Sequence, residues 1–225
     1  DEQARLVPMA DGWTAVAGGA GDQRVLIFQA TEGGRRPRFL ALPDALACQP
    51  AGLAGGLIAP GKTGQVSFVP VESAGSAIEP FQPPLDAGGA VKWLRPTTLG
   101  DNEALLSDGG TKLYRLTVEQ QPAPHLMAAA TAELQDALVT PAAVAGATAY
   151  AADARKRLLA FKLPDLAPGE QWNLGGSVVW GPYSAGDRVL LVTDDAQMHC
   201  FDAAGQNAWK QPLAHGSLVG EPLAG

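Results

Sequence analysis

Trp180-Gly181-Pro182-Tyr183, followed by Arg188-Val189-Leu190-Leu191-Val192-Thr193-Asp194 and by Met198-His199-Cys200-Phe201-Asp202, is the stretch on which the fold turns. A proline set in a short apolar segment leads into two apolar runs of strand length, with a polar turn between them. The same mark recurs as Leu6-Val7-Pro8-Met9, Cys48-Gln49-Pro50-Ala51, Trp93-Leu94-Arg95-Pro96, Val139-Thr140-Pro141-Ala142 and Gly220-Glu221-Pro222-Leu223. Successive prolines of this set are 42, 46, 45, 41 and 40 residues apart. Spacing that regular reads as an internal repeat.

Each unit carries the same grammar after its proline segment. A short apolar strand is expected over 13–18, 56–59, 103–107, 148–152 and 188–193. A second follows a polar turn, over 24–30, 65–71, 112–118, 157–163 and 197–202. A looser third is expected over 36–42, 77–82, 125–130, 171–174 and 208–213. With the proline segment counted, each unit is one four-stranded antiparallel sheet. Runs such as Val189-Leu190-Leu191-Val192 are apolar without alternation, as strands covered on both faces are. Four-stranded units of this length, each needing a neighbour on either side, describe the blades of a β-propeller. The expectation is an all-β, single propeller domain over 1–225, with blades at 5–46, 47–90, 91–136, 137–176 and 177–215. Residues 216–225 open a sixth unit. Five blades can close a ring, but the sixth segment favours part of a larger ring, or a half-ring completed by a second copy. An open ring bares sheet faces at its ends, so a homodimer through those edges is expected.

Composition agrees and excludes other classes. Glycine (27) and proline (18) make up a fifth of the 225 residues, which favours short elements joined by turns. With 17% charged and 46% apolar residues, disorder driven by charge is excluded. The net charge is −7, and no cluster of Lys and Arg offers a face to nucleic acid. The longest apolar stretches fall far short of the roughly 20 residues a membrane helix needs. The chain opens Asp1-Glu2-Gln3-Ala4-Arg5, with no basic-then-apolar leader; a removed leader leaves the same beginning.

The last full unit, Arg188 to Lys210, resembles the PQQ-type β-propeller repeat, with that family's Asp, Gly and Trp at Asp202, Gly205 and Trp209. The fourth unit keeps Gly169 and Trp172 but has Lys162 where Asp stands in the pattern. In units one to three only the rhythm survives; Gln29 and Thr117 take the approximate Asp positions and no Trp follows. The resemblance implies that the tryptophan docks one blade on the turn of the next. Quinoprotein dehydrogenases of the family bind PQQ and calcium on the ring axis within eight blades, often with a vicinal Cys-Cys pair. This chain has no such pair and no recognisable ligand cluster, so neither cofactor, metal nor catalytic residue is expected. It looks more like the non-catalytic members: the lipoprotein propeller of outer-membrane-protein assembly and the sensor domains fused to bacterial Ser/Thr kinases. By that resemblance the chain is expected to be a protein-binding or scaffolding propeller in an extracytoplasmic place. A fragment of a PQQ- and calcium-dependent dehydrogenase and a kinase-linked sensor ectodomain are the alternatives.

Other motifs carry less. Gly56-Leu57-Ile58-Ala59-Pro60-Gly61-Lys62-Thr63 matches the phosphate-loop pattern GxxxxGK[ST]. That chemistry needs a helix after the threonine, whereas Gln65-Val66-Ser67-Phe68-Val69 reads as strand, so a blade turn is expected. His199 and Cys200 are neighbours on a strand, point to opposite faces and cannot share a metal. With His125, His215, Cys48 and Cys200 dispersed over different units, no zinc site is expected, and both cysteines read as small buried apolar groups. Trp93, Arg95, Trp180 and Tyr183 flank prolines of innermost segments; they either form a partner hot spot at a ring face or wedge between blades.

Overall fold

The computed structural model describes residues 4–29, 36–53, 55–72, 78–84 and 91–214, together with 216, 218 and 220. The described residues form β-strands and one 3-10 turn, Ala10–Gly12. Contacts divide the chain into two compact units: Asp1–Leu106 with Arg115–Ala129, and Ser107–Tyr114 with Ala130–Gly225.

Unit 1 holds the first two sheets. Strands β1 (Arg5–Pro8), β2 (Trp13–Ala17), β3 (Arg24–Gln29) and β4 (Arg38–Ala41) pair in sequence order. Strands β5 (Ala51–Leu53), β6 (Gly56–Pro60) and β7 (Val66–Pro70) form the second sheet. Alternation on β2 puts Trp13, Ala15 and Ala17 on one face, where they join Val25, Ile27 and Leu40. That face packs on Leu57, Ala59 and Val69 of the second sheet, so two sheets share one core. The opposite face of the first sheet carries an apolar row in cross-strand register, Leu6, Val16, Leu26 and Phe39. Leu6 is 68% and Phe39 61% exposed, with the Arg24 guanidinium 4.7 Å above the Phe39 ring.

The third sheet joins β8 (Thr97–Leu99), β9 (Glu103–Ser107), β10 (Lys112–Glu119) and β11 (His125–Glu133), its strands divided between the units. Unit 2 contains the fourth sheet, β12 (Ala143–Ala145), β13 (Thr148–Ala152), β14 (Arg157–Lys162) and β15 (Ala167–Asn173). The fifth is β16 (Val178–Ala185), β17 (Arg188–Thr193), β18 (Gln197–Asp202) and β19 (Asn207–Pro212). First strands lie beside first strands: β5 beside β1 and β8 in unit 1, β12 beside β16 in unit 2.

Two expectations need correction. The strand expected over 77–82 is reduced to isolated bridges, Phe81 to Val66 and Glu79 to His125; residues 73–77 lie outside the described ones. In the second, third and fourth repeats the first strand also begins after its proline, not on it. Proline has no N–H to give a ladder, so it stands at the entry. Of the sixth segment, 216–225, only Gly216, Leu218 and Gly220 are described, and His215 lies outside the described residues.

The turns share a device. Asp108 Oδ1 accepts the N–H groups of Gly110 and Lys112 at 2.8 and 3.2 Å. Asp153 Oδ1 does the same for Arg155 and Arg157, both at 2.9 Å, and Asp202 Oδ1 for Ala204 and Gln206 at 3.0 and 2.9 Å. One carboxylate oxygen thus satisfies the amides two and four residues on, and fixes the reversal between strands.

The fifth sheet buries a histidine. His199 is 2% exposed and stacks on Phe201, and its Nδ1 has no hydrogen-bond partner among the described residues. Burial and the Lys210 charge hold its pKa below the usual histidine range, against a smaller opposing pull from Asp195. The unfolded chain therefore binds the proton more readily. The stability this contributes is complete above about pH 6.5 and is lost as pH falls from there toward the depressed folded value. Urea unfolding between pH 7.5 and 5 should show a steeper loss for the natural protein than for His199→Gln; equal slopes would remove His199 as the cause.

Candidate functional site

Of the blade-docking residues implied by the repeat, Trp172, Asp202 and Gly205 meet in unit 2. Trp172 of β15 lies 5.0 Å, ring to ring, from Phe201 of β18 and 6.2 Å from Tyr150 of β13. The Tyr150 hydroxyl donates to the Asp202 carbonyl at 2.6 Å, and Thr148 Oγ1 donates to the Ala203 carbonyl at 3.1 Å. Burial, helped by the Asp202 charge, pushes the Tyr150 pKa up to about 12, so it remains a donor. Gly205 turns this reversal at a φ of 81°, in the left-handed region that favours glycine. A Cβ there would stand 3.7 Å from the Tyr150 hydroxyl and 3.9 Å from Trp172. The fourth sheet therefore docks through Trp172 on the Asp202–Gly205 turn of the fifth. Trp209 stands half-buried on β19 opposite Cys200, the fourth residue of β18, whereas Trp172 pairs with Leu158, the second residue of β14. Gly169 does not serve as the turn glycine: it lies within β15, and Leu166, buried and at a φ of 55°, takes the left-handed position.

The aromatic and arginine residues divide. Trp93 presents no surface, being 3% exposed, and Arg95 beside it in unit 1 is half-buried. Trp180 and Tyr183 meet in unit 2 as an edge-to-face pair 4.9 Å apart, and Trp180 Nε1 donates to the Gly220 carbonyl at 2.7 Å.

The phosphate-loop match is a closed turn between β6 and β7. Its amides are already committed: Gly61 to the Gln65 carbonyl at 2.7 Å, Lys62 to Ala45 at 2.9 Å, and Gly64 to Gly61 at 3.1 Å. The Thr63 amide and hydroxyl both donate to Asp44 Oδ2, at 2.7 and 2.8 Å. Burial raises the Asp44 pKa, but the hydrogen bonds from Thr63 and Ala45 and the Lys62 charge outweigh it and hold the carboxyl below its usual range. The carboxylate of Asp44 occupies the place a phosphate would need.

Among the described residues, no group of three or more His, Cys, Asp or Glu side chains stands together as a metal site. Cys48 and Cys200 are buried and form no disulfide with each other, and among the described residues no helix is long and apolar enough to cross a membrane.

A groove that no motif announced runs between the end of β11 and the outer part of the fourth sheet. It encloses about 500 Å³, within the range of ligand pockets. Half-buried Leu134 and Leu159 and exposed Ala167 and Pro168 supply its apolar surface over the buried Ala132, Phe161 and Leu166, and the exposed Glu133, Asp165 and Glu170 bring carboxylates. The register of β14 against β15 slips between Leu159 and Phe161, opposite Pro168-Gly169-Glu170. There Gly169 approaches so closely that a Cβ would come within 3.2 Å of the Ala160 carbonyl. The slip bends β15 and shapes one wall. Arg157 is the groove's one cation and is tied down: Nε donates to Asp153 at 2.7 Å, Nη2 to Asp136 at 2.9 Å and Nη1 to Gln171 at 3.3 Å.

With five antiparallel sheets in place, the fold compares with solved propellers. The chain resembles the crystal structure of BamB from Moraxella catarrhalis, with a TM-score of 0.56, 11% identity, and coverage of 94% of this chain and 76% of that one. It resembles BBS1N, solved in complex with ARL6DN, with a TM-score of 0.62, 10% identity, and coverage of 94% and 67%. No family model matches the sequence, and no curated protein matches it. The chain has the β-propeller fold.

Proposed function

We propose that this chain is a non-catalytic propeller of PQQ-like repeats that serves as a protein-binding scaffold in an extracytoplasmic compartment of a bacterium. The groove beside β15 carries the binding part: an apolar lining with carboxylates that make no ion pair among the described residues, and its own arginine already neutralised. The docking of Trp172 on the Asp202–Gly205 turn supports the repeat assignment, because the family uses its tryptophan in that way. BBS1N was solved with ARL6DN bound, so a propeller of this architecture can hold a protein partner. The compartment rests on the likeness of the repeat. A second copy belongs to the same proposal, docked on the exposed Leu6–Phe39 row.

One experiment addresses both surfaces. A photoreactive benzophenone amino acid is placed at position 170, at 39, or at the exposed control 187, and the protein is irradiated in an extract of its source. A protein cross-linked from 170, absent from 187 and lost when Thr131→Trp fills the groove, is the expected result. A band at twice the chain's mass is expected from 39. Equal products from 170 and 187, or a 170 product that survives Thr131→Trp, refute the groove; no doubled band from 39 removes the second copy.

A further inference from the structure

Resting on the reading of the groove as a protein-binding site, we propose that its occupant is an extended peptide segment bearing lysine or arginine. The long aliphatic stem of such a side chain lies along Leu134, Leu159 and Pro168, and its charged end reaches Glu133, Asp165 and Glu170. Lysine and arginine combine those two parts, an apolar stem and a cationic tip. The charge balance decides the sign. Arg157 is held by Asp153 and Asp136, and Arg155 also turns to Asp136 with Nε 2.9 Å from Oδ1. No cation of the described residues pairs with Glu133, Asp165 or Glu170. An acidic segment would meet three like charges there, and a wholly apolar one would strip water from carboxylates without replacing it.

Two strands at sheet edges, β11 and β15, wall the groove, which suits an extended occupant. Recognition falls to side chains and not to an added strand, because β15 is broken as a template. Pro168 has no N–H to offer and the register slips beside it.

The probe is an eight-residue peptide alternating Lys and Val, titrated into the nitrogen-15-labelled full chain and followed by amide shifts. Shifts confined to residues 131–135 and 165–171 are expected. Glu133→Gln with Glu170→Gln should weaken binding about tenfold, the order expected for losing two partly exposed ion pairs. Asp101→Asn with Glu119→Gln removes the same charge elsewhere and should change affinity less than about twofold. Equal weakening by both pairs, or shifts scattered over the acidic surface, would mean nonspecific attraction and overturn the proposal. A Ser-Val peptide that shifts the same amides as strongly would sink the cationic occupant while leaving the groove a peptide site. If neither peptide shifts these amides and position 170 yields no specific cross-link, the groove reading falls too.

Discussion

Trp172→Ala should lower the unfolding free energy by about 3 kcal/mol, the lower end for a large aromatic truncated in a core, since Trp172 is half-buried. For a chain of this length that is a drop in melting temperature of roughly 6–12 °C. The loss has a definite source. Trp172 is the ring that closes the cluster of Tyr150, Phe201 and the Gly205 reversal, and it bridges two sheets that no ladder hydrogen bond joins. Tyr150→Phe keeps the ring and deletes only the hydroxyl bond to the Asp202 carbonyl, so about 1 kcal/mol is expected. Because both side chains hold the same turn, the double substitution should cost less than the two single losses added together. Thermal unfolding followed by circular dichroism measures all three. If Trp172→Ala costs under about 1 kcal/mol, the two sheets are held by their strand faces, and tryptophan docking is not what joins these repeats.

How much of this was legible depends on which chemistry marks a strand. The middle strands were plain: β9, β13, β17 and β18 run as their apolar patterns indicate, because each is buried and bounded by turn residues. The outer strands were not. β15 begins at Ala167, four residues before the expected 171, since Ala167-Pro168-Gly169-Glu170 is exposed and reads as a loop. Its ladder tolerates Pro168 only because the register slips there. In the second repeat the same weakness leaves bridges at Glu79 and Phe81 in place of a strand.

The binding surface was less legible still. Aromatic residues draw attention, yet Trp93 is core and Trp180 pairs with Tyr183 under a bond to the Gly220 carbonyl. The groove is assembled from Glu133 at the end of one repeat and Glu170 near the end of the next, and neither has a local pattern. Only Pro168-Gly169 inside an otherwise continuous repeat hinted at an irregular wall. The phosphate-loop match shows the converse: a perfect pattern carries no chemistry once Asp44, far away in sequence, fills it.

Asp153→Ala should cost about 3 kcal/mol, more than the same change at Asp108, and the comparison separates turn from ion pair. Both aspartates cap their turns with one oxygen on the amides two and four residues on. Losing that acceptor strands two backbone donors, and at the half-buried Asp108 about 1 kcal/mol is expected. Asp153 does more, because its fully buried side chain also accepts Arg157 Nε at 2.7 Å and lies 2.5 Å from Nη2. Truncation leaves that guanidinium with Asp136 as its one carboxylate and Gln171 as a neutral acceptor. Asp153→Asn keeps an oxygen for the turn but sets an amide nitrogen against Arg157, so it should fall between the natural protein and Asp153→Ala. Urea unfolding followed by circular dichroism gives the order, and equal losses at Asp108 and Asp153 would show that the arginine adds nothing. The same substitution reaches the groove: without Asp153 the positive charge of Arg157 in the lining is less fully opposed and repels an incoming cation. The Lys-Val peptide should then bind more weakly to Asp153→Ala than to Asp108→Ala under conditions where both are folded, which ties the stability of one turn to the selectivity of the surface beside it.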